Sequence, residues 1–520
     1  MALSPKFYTW LVGCFAAMGS MLFGYDLGVI AGVLVAPDFL KTTNNPDSDY
    51  LGFITSSMLL GAFAGSIPAS IIADKYSRRS AIVAGCLVFL FGGSMQTGAT
   101  GREVMLAGRF FAGFGIGMIA LLVPLYQSEI AHPSIRGSLT TLQQFFLGIG
   151  ALVASFVIYG CSNNYRGTEF EWRFPLALQL VPAIPLGALI FCFPESPRWL
   201  VAQGRNEEAL AALARLHASG DVTDTFVVAE HAELQLKIRE EVESRSAWSE
   251  IFGDVQSIRK IMIGIILQFS VQMTGVSAIQ YYSPQIFSNF GFSNQRTFLF
   301  QAIASIFALV GEGLCVGFVD KVGRRWPLII CNMGTGLVFI VAAALQANYP
   351  STPDNLNKAA SYTFVAFTWL FQLFFSAGIG PLSWAVPVEI LNTNIRAKGV
   401  AITNLASWIS NFMIGQVTPR ALASVGWRFY LLFAVCGFTN ALTFFLILPE
   451  TKGRTLEEMD DWFAQTPFIV ILSKAKPIDT KERERQLAAG MDGPVAQRLG
   501  HNDFEKDGSE KSKTEYLDTA

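Results

Sequence analysis

The sequence predicts an all-α membrane protein whose twelve crossing helices form two six-helix halves, with a helical insert between them. Three observations carry that prediction. Long apolar runs recur along most of the chain, and only 15% of its 520 residues are charged, against about 25% in soluble domains. Charge is also concentrated: of 78 charged side chains, 20 lie in residues 194–260 and 26 in residues 449–520, so two polar stretches interrupt an apolar chain. Finally, short motifs of the first part return in the same order in the second.

The elements follow from extent. A helix rising about 1.5 Å per residue needs roughly 20 apolar residues to cross a hydrocarbon layer about 30 Å thick. From Phe7 to Pro37 the chain runs 31 residues with Asp26 as its sole charge. That is too long for the apolar core of a secretory signal, and similar runs follow it, so it reads as a retained first crossing. Further runs fall near 52–73, 80–98, 104–128, 138–160 and 174–193, then at 261–287, 298–319, 327–347, 361–388, 399–419 and 429–448. The expected organisation is an N-terminal half over 1–193, a linker over 194–260, a C-terminal half over 261–448 and a tail over 449–520. Residues 205–250 read as amphipathic helices, and the tail beyond about residue 475 is too poor in apolar residues to pack.

Four features repeat. DKYSRR at Asp74 returns as DKVGRR at Asp320, and Glu129 precedes Arg136 by the same seven residues that separate Glu389 from Arg396. Trp172-Arg173-Phe174 returns as Trp427-Arg428-Phe429, and PESPRW at Pro194 is echoed by PETKGR at Pro449. Shared order argues for duplication, an architecture of transporters whose solute site lies near mid-membrane between the halves. Short loops after the second, fourth, eighth and tenth runs hold nine basic residues against about six in the opposite loops, which places both termini and the linker on the cytoplasmic side.

Several classes are excluded. A formal net charge of −2 gives no footprint for nucleic acid. The seven cysteines form no CxxC pair and no set with histidine, so neither a metal site nor a disulfide framework is expected. No nucleophile, metal set or phosphate loop supports an enzyme, and no cofactor is expected. The lipid bilayer is the one obligatory partner, and the chain is expected to act as a monomer.

Asp26 is the anomaly. A carboxylate in hydrocarbon costs at least about 2.5–3.5 kcal/mol, so such a residue faces a cavity or a partner. Arg109 is the natural partner: helix geometry puts Asp26 about 15 Å and Arg109 about 8 Å below the outer surface, a gap an arginine stem can span. Protonating Asp26 would release Arg109, linking proton binding to rearrangement. Glu312 is a second acid in an apolar run, open to two readings: a cavity residue, or one near the cytoplasmic face.

The pieces FGYDLGVIAG, GRFFAGFGIG, VPLYQSEIAHPSIRG, PESPRWL, DKVGRR, GPLSWAVPVEI and PETKGRTLEEMD together resemble the sugar porters of the major facilitator superfamily, in particular the fungal monosaccharide transporters, over about residues 7–463. The resemblance implies the major facilitator fold and proton coupling through Asp26 and Arg109. It also implies sugar contacts at Gln144, Gln272, Trp384 and Asn411, with Phe23 and Trp408 as apolar wall. The match is incomplete. Where the family has QQxxGxN this chain reads VQMTGVS, so Val271 and Ser277 replace two amide residues; Ser407 and Ala308 replace two more. Unpaired buried polar groups cost about 1–3 kcal/mol each, so such a pocket need not favour glucose; pentoses, deoxy sugars, sugar acids and quinate-like polyols stay open.

Tyr281 and Tyr282, followed by Ser283-Pro284, mark an expected break in the seventh helix where a gate could close. Asp74, Arg78, Arg79, Glu129 and Arg136, with Asp320, Arg324, Arg325, Glu389 and Arg396, are read as a cytoplasmic network of salt bridges holding the outward-facing state. The expected function is import of a monosaccharide with a proton by alternating access. The alternatives are a facilitative uniporter, a sugar-acid or quinate-type transporter and, in a different class, a transporter-like nutrient sensor.

Overall fold

The computed structural model describes residues 4–131, 136–243, 254–349, 357–391, 393–452, 462–463 and 466–470, and every element among them is helical. Helix α1 (Pro5–Val33) starts where the Ser4 hydroxyl accepts from the Phe7 N–H and Pro5 occupies a first-turn position that needs no donor. A short helix, Pro37–Thr42, follows before Asp47 caps α2 (Ser48–Lys75). The first half continues with α3 (Arg78–Thr97), α4 (Arg102–Ile130), α5 (Arg136–Asn164) and a two-piece α6 (Glu169–Leu178 and Ala183–Leu189). The linker contributes helices Pro197–Ala202, Asn206–His217 and Thr225–Glu243. The second half comprises α7 (Val255–Met273 and Val276–Ser288), α8 (Asn294–Val322), α9 (Arg325–Asn348), α10 (Lys358–Phe374 and Gly380–Ile390), α11 (Thr393–Val425) and α12 (Arg428–Ile447).

Eleven of these spans are long and apolar enough to cross a membrane. The twelfth is α11, which is 33 residues long but carries Thr403, Asn404, Ser407, Ser410, Asn411 and Thr418, all buried within the bundle. The break expected in α7 is present, and a further, larger one precedes it. The larger falls at Thr274-Gly275, where Gly275 adopts φ +86°, a left-handed conformation that only glycine takes cheaply. The Tyr282 region is a second, milder kink, with φ −121° and ψ 22°, just ahead of Pro284, whose ring cannot donate to the preceding turn. In α10 a single π-turn, Phe375–Ile379, interrupts the helix immediately before the GPLSW motif.

With lipid outside and no water to exclude, helix association rests on close backbone approach. Gly61 and Gly65 of α2 lie against the carbonyls of Phe110 and Phe114, and Gly113 and Gly117 of α4 lie against those of Met58 and Ala62. A Cβ at any of these positions would enter backbone. The second half relies more on rings, for example Phe290 stacked on Phe364 at 3.9 Å.

Aromatic residues of the second half, Tyr281, Tyr282, Phe298 and Trp408, join the buried core of the first. At the end of the bundle away from the termini, Ser56 of α2 donates to Gln416 of α11 at 2.8 Å, and Gln416 donates to the Asp49 carbonyl at 3.1 Å. The linker docks on the opposite end, where Trp199 donates to the Asp74 carbonyl and Thr9 to that of Leu216.

Candidate functional site: a central cavity beside a buried ion pair

A cavity of about 130 Å³ lies between the halves. Phe23 of α1, Gln144 of α5, Gln272 and Ser277 of α7, Trp384 of α10, and Ser407, Trp408 and Asn411 of α11 all line it, so six-helix halves that share no local sequence contact converge on one space. Val271 and Ala308 line it too, so two positions where the resemblance implies amides present apolar side chains to the cavity. Local structure explains the placement. Gln272 closes the first segment of α7 and Ser277 opens the second; the turn at Gly275 lets the Ser277 hydroxyl donate to Gln272 Oε1 at 2.5 Å. Phe23 meets the Trp408 ring edge-on at 5.3 Å, joining α1 to α11 across the halves.

Sequence reasoning missed part of the polar wall. Gln268, Gln280, Gln301, Gln372, Ser283 and Ser305 also line the cavity. Gln268 could have been found, since it sits one turn before Gln272 on the same face. Ser283 donates to Gln301 at 3.0 Å, and the hydroxyls of Ser155 and Ser305 lie 3.2 Å apart, so this polar wall is cross-braced. Of the two readings of Glu312, the cavity holds: the side chain lines it, is only 4% exposed, and accepts from Gln144 Nε2 at 3.4 Å.

Behind the wall, Asp26 Oδ1 and Arg109 Nη1 form an ion pair at 2.7 Å, each side chain 1% exposed. The glycines of FGYDLGVIAG make this possible: Gly24 and Gly28 bring α1 against the backbone of α5, which leaves Asp26 facing α4. Neither charged residue lines the cavity. Tyr281 is buried among the core of the first half, and its hydroxyl donates to Asn411 Oδ1 in the cavity wall at 3.3 Å. Tyr282 donates to the Gly415 carbonyl at 2.6 Å. The two tyrosines, buried to 2% and 1% exposure, thus hold α7 against α11 and the first half.

The charged clusters at the termini side show a two-fold pattern. Arg78 pairs with Asp74 at 2.6 Å and with Glu129 at 3.1 Å, as Arg324 pairs with Glu389 at 3.0 Å. Arg79 pairs with Glu195 at 3.0 Å, while Glu450 accepts the backbone N–H groups of Arg324 and Arg325. Arg325 itself donates to the Phe445 carbonyl. The pairs of Arg78 and Arg324 join helices within one half, and Glu195 and Glu450 tie each half to the segment that follows it. The side chains of Arg136, Asp320 and Arg396 lie outside the described residues. Glu195 and Glu450 escaped the sequence reading, although their recurrence in PESPRW and PETKGR marked them.

A bundle of membrane-length helices enclosing a polar cavity between two similar halves defines a membrane transporter, and this one belongs to the sugar transporters of the major facilitator superfamily. The family described as "Sugar (and other) transporter" matches residues 12–463. The chain is 33% identical to the MFS glucose transporter mfs1 of Aspergillus flavus over 86% of its own length and 88% of that protein's. It is 30% identical to High-affinity glucose transporter 1 of Candida albicans, covering 89% and 87%. Among solved structures, the proton:xylose symporter XylE bound to 6-bromo-6-deoxy-D-glucose superposes with a TM-score of 0.73 at 24% identity, covering 88% of this chain and 99% of that one. The inward open conformation of XylE from E. coli gives a TM-score of 0.72 at 23% identity. The family is one of transporters, not enzymes.

Proposed function

We propose that this chain is a proton-coupled monosaccharide importer of the plasma membrane, with both termini cytoplasmic, acting as a monomer by alternating access. The observation that carries the proposal is the Asp26–Arg109 pair, fully buried in the first half directly behind the wall of the cavity. Breaking a buried pair by neutralising one member costs about 3–5 kcal/mol, enough to bias a switch between two packed states. Protonation of Asp26 frees Arg109, the change reaches Tyr281, and the tyrosine's hold on α11 loosens beside the sugar. The amide, hydroxyl and tryptophan wall suits a solute with ring hydroxyls and apolar C–H faces. Asp74, Arg78, Arg79, Glu129, Arg324, Arg325 and Glu389 act at the cytoplasmic ends, where the pairs within each half keep it rigid while the halves rock.

The burial of the pair also supports a second reading, a uniporter in which Asp26 stays ionised and paired. Proton flux separates the two. In lightly buffered suspensions of cells expressing the protein, adding D-glucose or D-xylose should alkalinise the medium in step with uptake. Sugar entry without proton entry would leave the uniporter, and no entry at all would favour a sensor.

A further inference from the structure

One strongly polar group in the cavity has no role in the coupling scheme above. Glu312 projects from α8 into the space between the halves, with 4% of its surface exposed. Its Oε1 accepts from Gln144 at 3.4 Å, and its buried Oε2 has no hydrogen-bond partner among the described residues. The opposing helix is shaped for it. Gly148 of α5 faces Glu312, and a Cβ there would collide with Oε2 and with the Leu309 side chain. A buried oxygen without a partner costs about 1–3 kcal/mol, so a site that keeps one in a cavity gains when a ligand donates to it.

The rest of the wall narrows what that ligand is. The other polar lining groups are amides, hydroxyls and the Trp384 and Trp408 indoles, and no lysine, arginine or histidine is among the described residues that line the cavity. A solute carrying a carboxylate would enter without a cationic partner and would meet an acid. A hydroxylated neutral ring would instead donate a hydroxyl to Glu312 Oε2, while Gln144, already in contact with Oε1, reaches a neighbouring hydroxyl.

Resting on the reading of this cavity as a monosaccharide site, we propose that Glu312 is a substrate contact that fixes the class of solute: uncharged polyhydroxy rings are held through a hydroxyl donated to its carboxyl group, and sugar acids are turned away. Glu312 thereby supplies polarity at a wall from which Ala308, one turn earlier on α8, has none to offer. Of the solute classes left open by sequence, the structure thus favours the neutral ones.

The test uses D-glucose, D-xylose and D-glucuronate, the last differing from D-glucose only in a carboxylate at C6. Their dissociation constants are measured by calorimetry on the purified full-length protein in lipid nanodiscs at one fixed pH, for wild type, Glu312→Ala and the isosteric Glu312→Gln. Wild type should bind D-glucose or D-xylose, and D-glucuronate at least about tenfold more weakly than D-glucose. Glu312→Ala should weaken the neutral sugars about tenfold, Glu312→Gln should weaken them less because its amide still accepts, and the D-glucuronate penalty should shrink in Glu312→Gln. Because Glu312→Gln preserves shape, it carries the test if the alanine variant does not fold. Neutral-sugar affinities equal in all three proteins, D-glucuronate binding as tightly as D-glucose to wild type, or an unchanged penalty in Glu312→Gln would each overturn the assignment. Binding at fixed pH needs no proton coupling, so a failed coupling experiment leaves this result standing. Absence of binding by either neutral sugar to wild type would instead overturn the monosaccharide reading together with it.

Discussion

Gln272 shows what a single side chain does here. It is 6% exposed, its Oε1 is occupied by the Ser277 hydroxyl, and its amide nitrogen is the part left to meet a solute. Gln272→Ala therefore removes one donor and frees Ser277. The expected outcome is a rise in the KM for D-glucose or D-xylose uptake of about tenfold, equivalent to one hydrogen bond, with kcat changed much less. Initial-rate uptake in proteoliposomes measures both; a fall in kcat at constant KM would point to a role in the conformational step. Much of this site was legible at the residue scale. Asp26 and Arg109 stood out as the sole charges of their apolar runs, and they meet at 2.7 Å. Gln280, Gln301 and Gln372 were not legible, because a glutamine in an apolar helix reads the same whether it braces a neighbour or faces a solute. Gln301 does both, accepting from Ser283 while lining the cavity.

At the scale of elements, backbone approach decides which helices can pair. Gly113 lies against the Met58 backbone with no flexible side chain available to yield, so any Cβ must push α4 away from α2. Gly113→Val should lower the thermal midpoint of the purified protein and its folded yield, since overpacking costs about 1–3 kcal/mol even where side chains can shift. Fluorescence-detected size exclusion after a temperature series checks this; an unchanged midpoint would mean that the α2–α4 contact is not set by backbone approach. Helix count and order were readable because apolar length is a strong pattern. Breaks were harder. Pro284 drew attention to the Tyr282 region, where the chain does kink, whereas the other interruption, at Gly275, has a left-handed conformation that leaves no mark in hydropathy. The π-turn of α10 escaped for a related reason, because nothing in hydropathy marks it.

Across the whole molecule, two similar halves share one cavity, and one half holds the buried ion pair. The repeat that was visible as motif spacing reappears as geometry: Arg78 with Glu129 mirrors Arg324 with Glu389, while Glu195 pairs with the Arg79 side chain and Glu450 accepts the backbone N–H groups of Arg324 and Arg325. In the proposed scheme the two halves move as bodies, and Asp26 with Arg109 biases that motion. In the proposed mechanism protonation of Asp26 drives sugar uphill. It is tested most directly in proteoliposomes holding an imposed pH gradient, acidic outside, by the internal-to-external ratio of labelled D-glucose or D-xylose in wild type and Asp26→Asn. Wild type should accumulate sugar well above a ratio of one, while Asp26→Asn should stop at one and still exchange labelled for unlabelled sugar. Accumulation by Asp26→Asn equal to that of wild type would contradict the account.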